Sequence, residues 1–410
     1  MSNIHFSEEY KQQVKGNNPL LEVASEYVNF KESGSVLEAV CPMHDDNDPS
    51  FKYHKDSGQI TCYGGCDITI GDSIQFLMEV ELMGFQEAMM ELINRSGMEL
   101  PDEDTNEKLN ERKKMRKKLE VKSRKFWTLL VKRDKGRDAI KYLKERGITK
   151  KDINKWRLGY SDFSEKNNDQ FKKFCNRIIF TVLNEQGKTV GFSGRQLPAN
   201  EDSKYPKYIN SSDNDNPLFI KKRIVYGLNF ARPYIRKRNH VIWVEGFTDV
   251  ILLHKLGLKN VVASMGTAIT EQQIKKVKKY TNRVILFLDG DDSGQKAMKK
   301  SIELFKKHGI DIKLVKGKGG LDPADMAKEL TAPAVKKYIY NNAKLPEQYI
   351  VDDLLTTYEI KIADAKKELI NNLKKDFSGY LDDLDTEIAL DSICDKLNIT
   401  IETLKNELKD

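Results

Sequence analysis

The chain has 410 residues, enough for two or three domains of ordinary size with several buried cores. Hydrophobic residues make up 39% and charged residues 32%, and apolar runs such as Val284 to Leu288 stop far short of the ~20 residues needed to span a bilayer, which excludes a membrane protein. Lysine and arginine exceed aspartate and glutamate by 69 to 62, and the resulting +7 suits a polyanionic partner without demanding one. The opening residues MSNIHFSEEYKQQ carry no apolar stretch behind basic ones, so no secretory signal is read. The expected setting is a reducing cytoplasm, without membrane attachment and without disulfides.

The first expected domain, residues 1–103, is marked by cysteine spacing. Cys41, Cys62 and Cys66 fall within twenty-six residues, while Cys175 and Cys394 are isolated. Cys41-Pro-Met-His44 and Cys62-Tyr-Gly-Gly-Cys66 form two knuckles, C-x2-H and C-x3-C, the layout of a closed structural zinc site. The Gly64-Gly65 turn lets the backbone curl around an ion, and zinc at such a site supplies ~10 to 16 kcal/mol of folding energy to a module whose own core is read as thin. His54 and Asp67 are close enough in sequence to substitute as ligands. The bland alternative is three buried free cysteines and a surface histidine.

Residues 104–125 read as a basic linker. Between Arg112 and Lys125 stand nine basic residues and one acid, enough to neutralise several phosphates; the alternative is a solvated helical connector. From 126 to 240 the pattern predicts a helix ending near Arg146-Gly147 and then short strands, Arg177 to Val182 and Thr189 to Phe192, broken by Gly, Asn and Pro. Trp127 and Trp156 in this body are assigned to core packing.

Residues 241–330 give the clearest signal. Four apolar strands, VIWV, NVVAS, RVILFL and DIKLV, alternate with helical stretches long enough for crossovers, which predicts an α/β unit with a parallel sheet covered on both faces. Thr270 to Gln273 spells a capping box, and Gly309 ends another helix. Glu245, Asp289 and Asp291 follow strands directly, Asp249 begins a helix on the same side, and Asp322 follows the fourth strand after a glycine-rich loop. Ligands bind at that edge of open α/β sheets. Two bare carboxylates ~4 Å apart repel by ~4 kcal/mol at an effective dielectric of 20, so such a cluster calls for hard cations, Mg²⁺ or Mn²⁺. The alternative for any single acid is a solvated helix cap. Residues 331–410 predict a helical subdomain, with Ile362, Leu369, Leu373 and Phe377 on one face and a last helix near Thr400 carrying Ile401, Leu404 and Leu408.

VEGFTDV, ASMGTAIT and LFLDGDDSGQKA resemble the Toprim motifs of DnaG-type bacterial primases, and CPMHDDNDPSF with TCYGGC and GDSIQFLM resembles the zinc-ribbon domain of the same family. YLKERGITKKDINKWRLGYSD, NRIIFTVLNEQGKTVGFSGRQL, PKYINS and LFIKKRIVYGL resemble successive segments of the primase polymerase core. The resemblance runs in family order over nearly the whole chain. It implies a zinc ribbon, a mixed α+β polymerase core containing the Toprim sheet, and a helical subdomain. It also implies a metal-dependent nucleotidyltransferase that makes short RNA primers on a single-stranded DNA template from ribonucleoside triphosphates.

By that resemblance Glu245, Asp289 and Asp291 are catalytic. Glu245, Asp289, Asp291 and Asp322 hold Mg²⁺ or Mn²⁺, and Asp249 is a supporting acid. Arg177, Arg195, Lys207, Lys221 and Arg223 match positions that hold template and incoming triphosphate, and Lys204 to Tyr208 interleaves charge with the rings of Tyr205 and Tyr208, a combination suited to a single strand that adds Tyr208 to the candidates; the alternative for both rings is ordinary core packing. Asp322-Pro323-Ala324-Asp325 departs from the family's Asp-Pro-Asp-Glu run by one carboxylate, and the second zinc pair has three intervening residues where two are common. The resemblance stops short of the C-terminal domain by which full-length members dock on a replicative helicase, so a helicase stays among the partners considered with its docking domain outside the resemblance; a monomer is expected, and a compact primase of this kind suits a phage or plasmid system in a bacterial cytoplasm. Two rival readings share the acid cluster: a Toprim nuclease, and a non-catalytic DNA-binding accessory protein. No Gly-x-x-x-x-Gly-Lys-Ser/Thr segment occurs, which excludes a fused helicase motor as far as that motif can tell.

Overall fold

The computed structural model describes residues 6–44, 48–81, 83–100, 103–132, 134–165, 170–198, 204–212, 214–266, 268–288, 292–357, 363–377, 384–397 and 399–409. The chain divides into two compact units, residues 1–122 with 216–218, and residues 123–215 with 219–410. Among the described residues no helix is long and apolar enough to cross a membrane.

In the first unit, strands β1 (Lys31–Ser33), β2 (Val36–Ala39), β3 (Phe51–His54), β4 (Ile60–Cys62) and β5 (Ile68–Ile70) form an antiparallel sheet in sequence order. Asp72 then stops the chain from extending, because its carboxylate accepts from the Gln75 N–H at 2.8 Å and starts the helix Ser73–Val80. Gly97, in the left-handed conformation, ends the next helix, Phe85–Ser96. Phe51, Ile60 and Ile70 of the sheet share one buried cluster with Phe76, Leu77, Met89, Leu92 and Ile93 of these helices. This core is not thin. The expectation missed it because it weighed the cysteine-bearing hairpins and not the apolar faces of the flanking helices.

The second unit holds two sheets. Strands β6 (Gly159–Ser161), β7 (Arg177–Leu183), β8 (Thr189–Gln196) and β9 (Tyr208–Asn210) are antiparallel in sequence order, with every residue of β6 to β8 buried. Strands β10 (Val241–Val244), β11 (Val261–Ala263), β12 (Arg283–Leu286) and β13 (Asp311–Leu314) are all parallel, in the order β11-β10-β12-β13. The crossover helices Phe247–Lys255, Glu271–Lys278 and Asp292–Lys307 follow the first three of these strands. The sequence correctly places all four strands, because a strand buried on both faces reads as an unbroken apolar run. The capping box is also present, with the Thr270 hydroxyl accepting from the Gln273 N–H at 3.3 Å.

The C-terminal part is helical as expected. Leu369 and Leu373 of the helix Ala363–Phe377 pack with Leu390 and Ile393 of Leu384–Leu397 and with Leu404 and Leu408 of Ile401–Lys409. Ile362 lies outside the described residues. The basic stretch lies on a continuous helix, Glu103–Lys132.

Candidate metal centres and the carboxyl edge of the parallel sheet

Cys41 follows β2, Cys62 closes β4 and Cys66 precedes β5, so the β3-β4 hairpin and its neighbours bring the two knuckles together. The ligand atoms of Cys41, His44, Cys62 and Cys66 all lie within 4.8 Å of one another, and no other group of three or more such side chains forms among the described residues. Cys41 and Cys66 sulfurs are 3.7 Å apart, close to the ~3.8 Å edge of a tetrahedron built on ~2.3 Å zinc–sulfur bonds. His44 Nδ1 lies 3.1 Å from Cys66 Sγ and 3.9 Å from Cys62 Sγ, which makes Nδ1 the nitrogen that faces the ion position. A Cβ on Gly64 would stand 2.7 Å from His44 Nε2 and 2.8 Å from Ser50 Oγ, so the knuckle admits only glycine where the imidazole packs.

The electrostatics ask for a cation. Burial, with the Cys66 and Cys62 sulfurs close by, pushes the Cys41 thiol well up. Burial also acts against the Cys62 thiolate, but the N–H groups of Gly64 and Cys66 and the Ser50 hydroxyl outweigh it and bring that thiol below its ordinary value. Sulfur and imidazole donors in tetrahedral spacing fit zinc. His54 and Asp67 are not in the group, and His54 Nε2 instead meets the Tyr63 hydroxyl at 3.3 Å.

The parallel sheet reverses its order at β10, with β11 on one side and β12 on the other, so the crevice beyond the carboxyl ends of β10 and β12 is the switch point of the fold. Trp243 pairs with Leu286, and two residues beyond that pair stand Glu245 and Leu288. Asp289 is the next residue; it and Asp291 lie outside the described residues. Glu245 is half-buried on the turn into the helix Phe247–Lys255. Asp249, buried, accepts from the Gly246 N–H at 2.8 Å and so pins that turn, and a Cβ on Gly246 would lie only 2.8 Å from the same carboxylate oxygen. Asp322 caps the helix Pro323–Glu329 by accepting from the Asp325 N–H at 2.6 Å, and that helix packs on Phe247–Lys255. Asp325 is paired with Lys328 at 2.6 Å.

The basic residues fall into two kinds. Arg177 is buried, and its guanidinium donates to the carbonyls of Gly194, Pro206 and Lys207 at 3.0 to 3.2 Å, bracing the segment that presents Lys207. Arg195, also buried, stacks on Tyr142 with its guanidinium carbon 4.4 Å from the ring centre, and lies 5.9 Å from that of Tyr208. Lys204, Tyr205, Lys207 and Lys221 are exposed. Tyr208 is partly buried beside Phe247, and burial pushes its phenol up to about 12. Trp156 is in the core, whereas Trp127 is half-buried and donates to Asn154.

Sequence reasoning missed how the Lys221–Arg223 turn is held. Tyr226 and Ala263 exchange backbone hydrogen bonds of 2.8 and 3.1 Å, laying residues 224–226 along the free edge of β11. Thr270 donates to the Lys222 carbonyl at 2.6 Å, Gln273 to that of Ile224 at 2.7 Å, and Arg223 to Gln272 at 2.9 Å. Lys221 Nζ consequently sits over Gly266, 3.3 Å from where a Cβ would be, beyond the carboxyl end of β11. The missed signal is the polar Thr-Glu-Gln-Gln cap, which serves this docking as well as its own helix. Phe247, two residues after Glu245, was missed too; it packs against Phe180, Tyr208 and Tyr226 at 4.7 to 5.9 Å and so ties the start of its helix to the antiparallel sheet.

A zinc ribbon joined in one chain to an α/β sheet with acids at its switch point defines a nucleic-acid enzyme class. Residues 6–108 match the CHC2 zinc finger, residues 162–232 the N-terminal domain of the DNA primase catalytic core, and residues 242–327 a Toprim-like domain. The chain is 34% identical over 376 residues to the DNA primase of Lactococcus lactis subsp. lactis, covering 86% of this chain and 58% of that protein. It is 30% identical over 432 residues to the DNA primase of Staphylococcus aureus strain COL, covering 97% of this chain and 70% of that one. A crystal structure of the zinc-binding and RNA polymerase domains of the Aquifex aeolicus primase aligns over 96% of this chain and 98% of that one, with 28% identity and a TM-score of 0.56. The chain belongs to the DnaG-type DNA primases, a family of nucleotidyltransferases.

Proposed function

We propose that the chain joins ribonucleoside triphosphates into a short RNA primer on a single-stranded DNA template, in the bacterial cytoplasm, at the carboxyl edge of the parallel sheet. The observation that carries this is the place of Glu245, one residue beyond the strand at which the sheet order reverses, on a turn pinned by Asp249. Glu245, Asp289, Asp291 and Asp322 are all-oxygen donors of the kind that hold Mg²⁺ or Mn²⁺. When bound, such ions lower the pKa of an attacking 3′-hydroxyl and offset charge on the leaving pyrophosphate.

The chain's own share is placement. The 3′-oxygen of one nucleotide forms a bond to the α-phosphorus of the next while the bond from that phosphorus to the bridging β-phosphate oxygen breaks. Lys221, held over Gly266, and Lys207, presented by the Arg177 brace, are cations on elements fixed to the two sheets and suited to triphosphate or template phosphates. Tyr205, 62% exposed, is free of the core packing that engages Tyr208 and offers a face to an unpaired base. The zinc module reads the template.

The test is primer synthesis with purified protein, single-stranded DNA, labelled ribonucleotides and Mg²⁺ or Mn²⁺. Short RNA products support the reading, and nicked or shortened DNA without RNA overturns it in favour of a nuclease.

A further inference from the structure

The parallel sheet has a second edge, at the amino ends of its strands and opposite Glu245. There the chain entering β10, the first residues of β12 and β13, and the start of the helix Pro346–Thr357 line a cavity of about 590 Å³, a volume within the ~300 to 1,000 Å³ usual for sites that take small molecules. Every lining residue belongs to the second unit. Part of the wall is apolar, made by Ile310, Pro346 and Leu345, the last of them 37% exposed. Another part is a pair of rings, His240 and Tyr340, nearly perpendicular with centres 5.4 Å apart. His240 Nδ1 donates to the Arg238 carbonyl at 2.8 Å, which leaves Nε2 to accept from the Tyr340 hydroxyl at 3.0 Å, so the imidazole stands neutral.

Four cations line the cavity, Arg238, Arg283, Lys306 and Lys313, against two carboxylates, Asp311 and Glu347. Lys306 pairs with the buried Glu347, and both charges are spent there. Asp311 reaches Arg283 only at 4.0 Å, with both side chains largely exposed, a geometry that water screens. Arg238 donates to the Asn260 side-chain oxygen at 2.7 Å, a neutral partner, and Lys313 is exposed. Two positive charges are therefore unbalanced. Burial holds the His240 imidazole below its usual pKa, and Arg238 and Arg283 push it the same way, so both guanidinium charges bear on the rings. The helix dipole accounts for Arg238 and Lys306, which stand in the last turns of Leu228–Arg238 and Asp292–Lys307. It does not account for Arg283 and Lys313. These stand on strands, and because Lys313 pairs with Ile285, two residues from Arg283, the two cations share one face of the sheet. Lysine on an edge strand guards against stray pairing, but β13 already has a neighbour at its edge, since Leu314 and Lys344 exchange backbone hydrogen bonds of 2.7 and 2.9 Å.

We propose that this cavity is a binding site for a small organic anion, whose flat apolar body rests against Leu345 and Tyr340 and whose phosphate, sulfonate or carboxylate meets Arg283 and Lys313. Such a ligand uses both features of the wall. Its acidic group draws charge-assisted hydrogen bonds from a guanidinium and an ammonium, and its body covers apolar surface that Leu345 leaves exposed. A cation would meet the surplus charge, and an uncharged ligand would leave it unpaired. Strands β10 and β12 run from this cavity toward Glu245 and Leu288 at the other edge, so the ligand leaves the proposed catalytic edge open. The site goes beyond primer synthesis and does not depend on it.

Fluorescence titration of the full, zinc-loaded chain, without DNA, nucleotides or Mg²⁺, tests the site with two probes that share the same rings, anilinonaphthalene sulfonate and the uncharged phenylnaphthylamine. The anion should bind the wild type ~10-fold more tightly than the neutral probe. Changing Arg283 and Lys313 together to Gln should weaken the anion alone and bring the two probes within ~2-fold of each other. Leu345→Asp puts a carboxylate into the apolar wall, at a helix start where a negative charge is favourable, and should weaken both probes ~10-fold. A control that changes the exposed Lys150 and Lys151 to Gln alters net charge as much as the double variant and should leave both affinities in place. Circular dichroism verifies that each variant is folded, and should Leu345→Asp fail to fold, the double variant at exposed strand positions decides alone. Equal binding of the two probes by the wild type, an anion affinity unmoved in a folded cavity variant, or an equal effect of the control overturns the inference. Failure of the wild type to make RNA would overturn the proposed function and leave this binding result standing.

Discussion

The zinc-ligand group and the proposed catalytic edge of the parallel sheet are built in opposite ways. The zinc centre is closed: four soft donors converge from knuckles that adjacent strands hold in place, with sulfurs already at tetrahedral spacing and Gly64 making room for the imidazole. The carboxyl edge of the parallel sheet is open. Glu245 and Asp322 stand on separate turns, each pinned by a helix-capping hydrogen bond, at the edge where ligands bind in open α/β sheets. A closed site exhausts its ion's coordination in holding the fold, while an open one keeps positions for chemistry. Damage to the first should therefore appear in folding and recognition, and damage to the second in rate.

The largest effect expected is at the open edge. Glu245→Gln should lower primer synthesis ~10³-fold or more without shifting the melting temperature, and Asp289→Asn should do the same; full activity in either variant would remove the residue from the site. Cys62→Ser should strip the protein of its ~one equivalent of zinc and impair initiation on a template. Extension of a pre-annealed primer should be far less affected. Because Phe76, Leu77, Met89 and Leu92 give the module a core of its own, its helices should remain folded by circular dichroism, and complete unfolding would show that the ion alone sustains the module. Gly246→Ala drives a Cβ against Asp249 and should displace Glu245, with a ~10-fold loss in kcat and little change in KM.

The smallest effect concerns stability. His254 is buried against Trp156, and burial lowers its pKa to about 3 although its Nε2 donates to the Val261 carbonyl at 2.9 Å. A folded pKa below the ordinary 6.5 favours the neutral ring, so this contribution is complete above about pH 6.5 and is lost as pH falls toward 3, by up to ~1.4 kcal/mol per pH unit. Melting temperature should fall more steeply from pH 7 to pH 5 in the wild type than in His254→Gln, and parallel profiles would contradict this.

The sequence made some of this plain for physical reasons. Strands β10 to β13 are legible because strands buried on both faces carry few polar residues to blur them, and the zinc ligands because tetrahedral donors must come from short knuckles. Other features depend on register and packing, which no local pattern encodes. The guanidinium of Arg177 meets three carbonyls only because β7, β8 and β9 pair as they do, and Tyr205 and Tyr208, three residues apart, part company because one ring reaches Phe247 and the other does not. The edge pairing of residues 224–226 with β11 was hidden likewise, since a single pair of hydrogen bonds leaves no periodicity.

Whether the acids beyond β10 and β12 share a hard cation decides the enzyme, and Mn²⁺ soaked into crystals of the wild-type protein reports on it through anomalous scattering. The expected result is an ion at ~2.0 to 2.3 Å from carboxylate oxygens of both Glu245 and Asp289. Manganese bound elsewhere, with those two side chains turned apart and no room for an ion between them, would contradict it.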